Sequence, residues 1–193
     1  RRRGEAGPPK GAGYGALRAP AGPPGKPAVS RKAKMGGKPM ARRMGAGTIR
    51  LERASAIAAV AAVGSRLEQE GPLGAEFDRT VEDSSFGEKS WEKAETKMQQ
   101  LAMELALQKG QTAPEQVDVV LGGDLLNQCI ASAYAVRELE RPFLGLYGAC
   151  STMAEALGVG ACLCSAGMAD GLLAMTSSHF CTAERQFRTP LSY

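Results

Sequence analysis

Between residues 117 and 176, short apolar runs alternate with longer segments of helical length, and this alternation strongly constrains the fold. The runs Val117–Gly122, Phe143–Tyr147 and Gly171–Thr176 have the length and composition of buried strands. Asn127–Leu139 and Ser151–Met168 lie between them and are predicted to be helices. Strands joined through helices run parallel. The order therefore predicts an α/β fold, with a parallel sheet and flanking helices.

The residues before this block continue the same pattern. Thr48–Glu52 alternates like a strand, and the apolar run Ala56–Val63 fits either a second strand or a helix. Ser90 is a suitable N-cap for a helix through Lys109, which Gly110 would end. The helix is predicted to bury one apolar face, made of Trp91, Ala94, Met98, Leu101, Ala102 and Leu105.

Charge divides the chain into two parts. The first 50 residues hold thirteen of the 24 Lys and Arg residues and one acid, Glu5, whereas the remainder is acidic overall. Residues 1–45 are rich in Gly and Pro and cannot bury enough apolar surface to fold. We therefore predict a basic, disordered tail before a folded domain at 46–193. Because Tyr14 is the only aromatic residue of the tail, we expect no nucleic-acid partner beyond what its charge attracts.

The cysteine pattern argues against structural cross-links. Five cysteines at irregular spacing form no disulfide framework, and Cys162 and Cys164 lack a second pair of Cys or His residues to complete a zinc site. No apolar run approaches the roughly 20 residues that span a bilayer. We expect a reducing compartment, no metal site in the chain and no transmembrane segment.

Polar residues follow each predicted strand at the edge where ligands collect in parallel sheets. They are Asp124 and Asn127, then Cys150–Thr152, then Ser177–His179. Cys150 lies between a strand and a helix, where the helix amides and dipole favour a thiolate or a bound anion. The local sequence equally permits a buried cysteine that packs a tight turn. His179, the one histidine of the chain, would either pair with Cys150 or bond its own loop.

Several segments resemble the stage V sporulation protein AD family, a branch of the thiolase-like superfamily, over residues 47–193. The resemblance implies a thiolase-like fold of two similar α/β halves, of which this chain would hold only the N-terminal half. The tail has no counterpart in the family, and Ala56–Val63 lacks the expected glycines. The matching segments are Gly71–Gly74, Phe77–Thr80, Lys89–Glu92, Gly123–Gln128, Gly148–Thr152, Thr176–His179 and Thr182–Arg188.

The resemblance also implies a function. The chain would be a sporulation protein that binds dipicolinic acid, with calcium, in a non-catalytic pocket for uptake into the developing spore. It would lie peripherally at the cytoplasmic face of the inner spore membrane, with other SpoVA membrane proteins as partners. Cys150 matches the acyl-accepting cysteine of thiolases and ketoacyl synthases. The alternative is therefore an acyltransferase that uses a coenzyme A thioester, with Cys150 as nucleophile and His179 as base.

In the binding hypothesis, one ligand carboxylate would meet the amides of the Cys150–Thr152 turn, and the other would meet Arg185 or Arg188. If these two arginines do not contact the ligand, we expect them to form surface ion pairs. Asp124 would orient a donor or contact calcium, although one carboxylate is not a calcium site. A half-fold would also expose apolar surface and favour aggregation or a homodimer. The predicted ligand-binding residues are Asp124, Asn127, Cys150, Ser151, Thr152, His179, Arg185 and Arg188.

Overall fold

The computed structural model describes residues 41–187, with side chains described through Ala183. All of these residues belong to one compact unit. Short 3-10 turns lie before α3 and α4. The regular elements in chain order are β1 (Ala41–Arg43), β2 (Ile49–Leu51), β3 (Val63–Ser65), α1 (Arg66–Gln69), β4 (Arg79–Val81), α2 (Trp91–Lys109), β5 (Val119–Gly123), α3 (Ile130–Arg137), β6 (Phe143–Gly145), α4 (Thr152–Ser165), β7 (Leu172–Thr176) and α5 (Phe180–Phe187).

A three-stranded parallel sheet organises the described residues, with β5 at its centre and β6 and β7 on either side. Val120 pairs with Phe143 on one side and with Leu173 on the other. The chain passes from β5 to β6 through α3, then crosses back over β5 to β7 through α4. Crossovers between parallel strands share the same right-handed sense, so two crossovers that run across the sheet in opposite directions place their helices on opposite faces. α3 and α4 therefore cover opposite faces of the sheet. The predicted parallel α/β arrangement is confirmed.

Two smaller strand pairs precede this sheet. β3 and β4 are parallel, and β1 and β2 form an antiparallel pair. The strand predicted over Thr48–Glu52 is confirmed as β2. Its partner, Ala41–Arg43, falls in the segment predicted as a tail. The rest of that predicted tail, residues 1–40, lies outside the described residues.

The prediction of a strand or helix over Ala56–Val63 is wrong, because regular structure begins only at Val63. Asp78 explains part of the difference. Its Oδ2 accepts the Ala62 N–H at 2.9 Å, and its own N–H donates to Ala62 O at 3.0 Å. Lys109 Nζ holds the other carboxylate oxygen of Asp78 at 2.6 Å, and this pairing lowers the pKa of Asp78. Ala62 is therefore held by both the side chain and the backbone of Asp78, and residues 56–61 before it form no strand or helix.

Helix α2 begins and ends where the sequence predicts. Ser90 Oγ accepts the Lys93 N–H at 3.3 Å, and the Gly110 N–H donates to Ala106 O at 2.9 Å. The buried side of the helix differs from the prediction: of the six predicted residues only Ala94 is fully buried, and the others are half-buried. The remaining fully buried residues are Met103 and two polar ones, Glu95 and Gln99. These two residues prove central to the candidate site.

The apolar core lies between the sheet and the pair α2 and α3. α4 covers the opposite face, where Gly160 brings the helix backbone close to Leu172 and Leu121. The core positions the carboxyl ends of all three sheet strands at one edge. The buried core residues are Met103, Val117, Val120, Ala135, Val136 and Met175, flanked by Leu107, Leu139, Phe143 and Leu173.

Candidate functional site

A cavity of about 510 Å³ opens at the carboxyl edge of the sheet. Its wall is formed by β3 and α1, one side of α2, the turn before α4, and the segment that joins β7 to α5. Two of the predicted site residues, Cys150 and His179, line this cavity. The lining does not include Asp124, Asn127, Ser151 or Thr152. The cavity thus opens at the edge of the sheet that the sequence singled out, but only two of the predicted residues belong to its wall.

Cys150 is exposed and lies in the turn Ala149–Ser151, between β6 and α4. Ala149 has a φ of 49°, a left-handed conformation that residues with a Cβ seldom adopt. Such strain concentrates at functional sites, where the surrounding structure enforces it. Of the two alternatives for Cys150, the buried packing residue is wrong, because the side chain is exposed, and the role of the thiol as a nucleophile stays a prediction.

The amides after Cys150 are not free to hold a ligand carboxylate. The Ser151 N–H donates to Gly148 O at 3.0 Å, and the Thr152 N–H donates to Ala149 O. The hydroxyls close the same turn: Ser151 Oγ donates to Gly148 O at 2.7 Å, and Thr152 Oγ1 accepts the Gly148 N–H at 3.2 Å. Glu155 in the first turn of α4 adds a negative charge. The predicted anion contact at Ser151 and Thr152 is therefore wrong.

His179 is 5% exposed, and both of its ring nitrogens have partners. Nε2 lies 2.7 Å from Ser84 O, and Nδ1 accepts the Cys181 N–H at 3.2 Å. A carbonyl can only accept, so the ring hydrogen is on Nε2. Among residues 41–187 no hydrogen bond joins His179 to Cys150. The Cys150–His179 pair is thus not formed, and His179 instead ties its segment to Ser84.

Asp124 is 1% exposed and supports the loop that leads into α3. Its Oδ1 accepts the Leu126 N–H at 2.8 Å, and its Oδ2 accepts the Ser132 N–H at 2.8 Å and the Ser132 hydroxyl at 2.6 Å. With both oxygens engaged away from the cavity, Asp124 cannot contact calcium there. Asn127 lies exposed on the same loop.

The two predicted arginines cannot be assigned a contact. Arg185 belongs to α5 by its backbone, and its side chain lies outside the described residues. Arg188 follows the last residue that the structure describes. Both remain predictions.

The sequence did not predict the polar network behind the cavity. Glu95 Oε1 accepts the Ser177 hydroxyl at 2.6 Å, and its Oε2 lies 2.5 Å from Thr182 Oγ1. Gln99 Nε2 bonds Ser132 Oγ at 3.0 Å and also Ser177 Oγ. Burial raises the pKa of Glu95, and the hydrogen bonds from Ser177 and Thr182 offset this only in part. The network links α2, α3, β7 and α5.

No local pattern marked this network in the sequence. Glu95 and Gln99 are four residues apart and directly follow Ala94 and Met98 of the predicted apolar face. However, Lys93 and Lys97 precede the same two apolar residues at the same spacing, and Lys93 is exposed. The spacing places the pair beside the apolar face and does not show that it is buried.

The charge of the described cavity wall is negative. Glu68 Oε2 accepts the Ser65 N–H at 2.8 Å and the Ser65 hydroxyl at 2.6 Å, and these bonds lower the pKa of Glu68. Glu68 lines the cavity, and no Lys or Arg is among its described lining residues. The remaining wall is largely apolar, with Val63, Phe77 and Met98 among its members.

The family model for stage V sporulation protein AD (SpoVAD) matches residues 45–193, which include every described residue of the cavity wall. The chain belongs to the stage V sporulation protein AD family. The resemblance noted in the sequence is thus confirmed, and with it a role in sporulation.

A relative within the family is stage V sporulation protein AD of Bacillus subtilis (strain 168). It is 46% identical over 126 residues, which make up 65% of this chain and 37% of the relative. The chain thus matches little more than a third of that relative's length.

Within residues 41–187, no helix combines the length and the hydropathy that crossing a bilayer requires. No group of three or more His, Cys, Asp or Glu side chains in the same residues is placed to hold a metal ion.

Proposed function

We propose that this chain binds dipicolinic acid, with calcium, in the cavity at the sheet edge and catalyses no reaction on it. The observation that carries the proposal is a cavity whose thiol has no general base beside it among the described residues. Cys150 faces the cavity, while His179 has both nitrogens engaged with Ser84 and Cys181. Membership of a sporulation family supports uptake of the ligand into the developing spore as the purpose.

The size and surface of the cavity suit a small planar ligand. Its volume of about 510 Å³ lies within the roughly 300–1,000 Å³ of small-molecule pockets. Phe77, Met98 and Ala102 offer apolar surface for a ring, and Gln99 and Ser177 offer polar atoms. This combination of apolar walls and few polar groups is typical of small-molecule sites.

The charge of the wall bears on the form of the ligand. A free dicarboxylate would meet the ionised Glu68 with no described Lys or Arg to balance it. A one-to-one chelate with calcium carries no net charge and avoids this repulsion. Arg185 and Arg188 remain the candidates to pair with a free carboxylate.

We also propose the wider setting that the family resemblance implies. The fold would be thiolase-like, and the chain would correspond to the N-terminal half of a two-half fold. The protein would act peripherally at the cytoplasmic face of the inner spore membrane with other SpoVA proteins. Exposed apolar side chains on α4, such as Leu157, support pairing with further protein, including a second copy.

Thermal unfolding of the 193-residue chain, titrated with dipicolinate with and without calcium, tests the binding proposal. A ligand that binds the folded state raises the midpoint by mass action. We expect a concentration-dependent rise with dipicolinate and none with isophthalate, which lacks the ring nitrogen. A midpoint that dipicolinate does not move would refute the proposal.

A matched pair of exposed cysteines locates the binding site. Cys150 lines the cavity, whereas Cys162 is exposed on α4 outside it. Cys150→Phe is expected to fill the cavity and remove the shift, while Cys162→Phe keeps it. Equal shifts in both variants would place the ligand elsewhere.

The second candidate function is acyl transfer through Cys150. The exposed thiol on a strained turn, beside an apolar cavity, is the observation that favours it. Intact-mass measurement after incubation with acetyl coenzyme A distinguishes the two functions. An acyl adduct that Cys150→Ser removes and Cys162→Ser retains would establish the acyltransferase, whereas an unmodified chain that still binds dipicolinate would exclude it.

A further inference from the structure

Gln99 lines the cavity from α2, is 3% exposed and has an amide whose orientation is determined by its neighbours. The Ser132 hydroxyl donates to Asp124, and the Ser177 hydroxyl donates to Glu95. Each hydroxyl has one hydrogen, so each can only accept from Gln99. Only Nε2 can donate, and its two hydrogens serve the two serines.

This orientation leaves Gln99 Oε1 buried and without a hydrogen-bond partner among the described residues. Turning the amide over would place Oε1 against two serine oxygens that have no hydrogen to give. A buried carbonyl without a donor is costly and uncommon in folded proteins. No described residue supplies this donor, and Gln99 lines the cavity, so an occupant of the cavity is placed to supply it.

We propose that Gln99 is a recognition residue whose Oε1 accepts a hydrogen bond from the occupant, so that the cavity selects a ligand form that carries an O–H hydrogen. The inference rests on the proposed binding of dipicolinate. The free dianion offers only acceptors. Two forms of the ligand carry the required hydrogen: the calcium chelate, through a water on the cation, and the monoanion, through its protonated carboxyl group.

The titratable groups around the cavity define what else can take up a proton when the ligand binds. Glu68 faces the cavity from α1, and Cys150 from the turn before α4. His179 and Cys181 face it from the segment that enters α5. Glu95 and Asp124 lie behind Gln99.

Calorimetry on the 193-residue chain at pH 7.5 tests the inference in two arms, dipicolinate with EDTA and dipicolinate with calcium. Each arm is run in two buffers of different ionisation enthalpy, which reports proton uptake. Binding of the chelate at least about tenfold tighter than the free ligand supports the water as donor. Uptake of one proton per free dipicolinate supports the carboxyl group.

The overturning result is free dipicolinate that binds as tightly as its chelate and takes up no proton. Absence of binding in both arms would refute the proposed function and this inference together. Free dipicolinate that binds as tightly as its chelate, with no proton uptake, would refute the inference and leave the proposed function standing. The two failures are therefore distinguishable.

Variants assign the effect to Gln99. Gln99→Met keeps the chain length and removes Oε1, and Gln100→Met makes the same change one residue along the helix, outside the cavity. We expect Gln99→Met to weaken binding about tenfold and to abolish any proton uptake, with Gln100→Met within about twofold of the wild type. Equal affinities for the two variants would overturn the inference. If Gln99→Met does not fold, Glu68→Gln separates the two causes of a chelate preference, because it removes the carboxylate that repels the free dianion. A preference of about tenfold that persists in Glu68→Gln supports Gln99 as the cause, and one that disappears overturns the inference.

Discussion

Two buried carboxyl groups lie behind the cavity, in different surroundings. Asp124 accepts three hydrogen bonds, two of them from backbone N–H groups, and so joins β5 to α3. Glu95 accepts from side chains, and burial raises its pKa. Thr182 has one hydroxyl hydrogen but faces both Glu95 Oε2 at 2.5 Å and His179 O at 2.8 Å. A proton on Glu95 Oε2 would satisfy both contacts.

Asp124→Ala is expected to lower the free energy of unfolding by about 3 kcal/mol, because it removes a buried acceptor and leaves the Leu126 and Ser132 donors unpaired. Urea denaturation measures the change. Asp170→Ala, at an exposed aspartate, is the control and should stay within about 0.5 kcal/mol of the wild type. A loss no larger than that of the control would contradict the supporting role of Asp124.

Glu95→Gln tests the raised pKa of Glu95. A carboxyl group whose pKa is raised on folding binds its proton more tightly in the folded state, so the wild type loses stability as pH rises above the ordinary value of 4.5. Glutamine does not titrate. The free energy of unfolding of the variant minus that of the wild type should therefore increase as pH rises from 4.5. This difference should then level off.

Denaturation at a series of pH values measures this difference. Glu104→Gln, an exposed glutamate on the same helix, provides the reference slope. A difference between Glu95→Gln and the wild type that stays flat, or falls with pH, would show that burial does not raise the pKa of Glu95.

At the scale of elements, close approach depends on glycines at a few positions. A Cβ on Gly122 would overlap Met175 O, and one on Gly123 would overlap Leu146 O, so β5 and its surroundings pack backbone against backbone. On α4, a Cβ at Gly160 would lie 2.9 Å from Leu172 Cδ1, whereas Gly158 has nothing within 4 Å. The two helix glycines therefore differ only in what they face.

These two glycines make a matched pair. Gly158→Ala should stabilise the chain by about 0.5–1 kcal/mol, because alanine favours the helix and meets no obstacle. Gly160→Ala gains the same propensity but must displace Leu172, at a cost of about 1–3 kcal/mol. Thermal and urea denaturation of both variants measure the difference. Equal effects would mean that α4 does not pack on the sheet through Gly160.

At the scale of the described molecule, one face of α4 has no cover. Leu157 is 42% exposed and Met153, four residues earlier on the same face, is 37% exposed, although the helix carries a single charged residue, Glu155. Apolar surface of this kind favours association. The predicted pairing of the chain with itself or with a partner remains a prediction.

Leu157→Gln tests it, since the change makes this face polar and removes little buried area. We expect weaker self-association in sedimentation velocity, with a free energy of unfolding within about 0.5 kcal/mol of the wild type. Met168→Gln is the control, because Met168 is 74% exposed but lies beyond the end of α4. The same decrease in both variants would argue against association through α4.

The sequence by itself determined the parallel sheet, the limits of α2, the edge where ligands would collect and the family. These features follow from periodicity, caps and motifs, which neighbouring residues specify. Only the tertiary structure decided the rest of the site. His179 meets Ser84 O, Glu95 meets Ser177 and Thr182, and the segment before β3 is held by Asp78.

Each of these partners is distant along the chain, from 16 residues for Asp78 and Ala62 to 95 for His179 and Ser84. A local pattern shows that a residue is polar or lies on a buried face. It does not show which distant donor or acceptor will meet that residue, because packing of the helices on the sheet determines the pairing. For the same reason, the sequence placed Cys150 at the cavity but did not predict the orphan oxygen of Gln99 beside it.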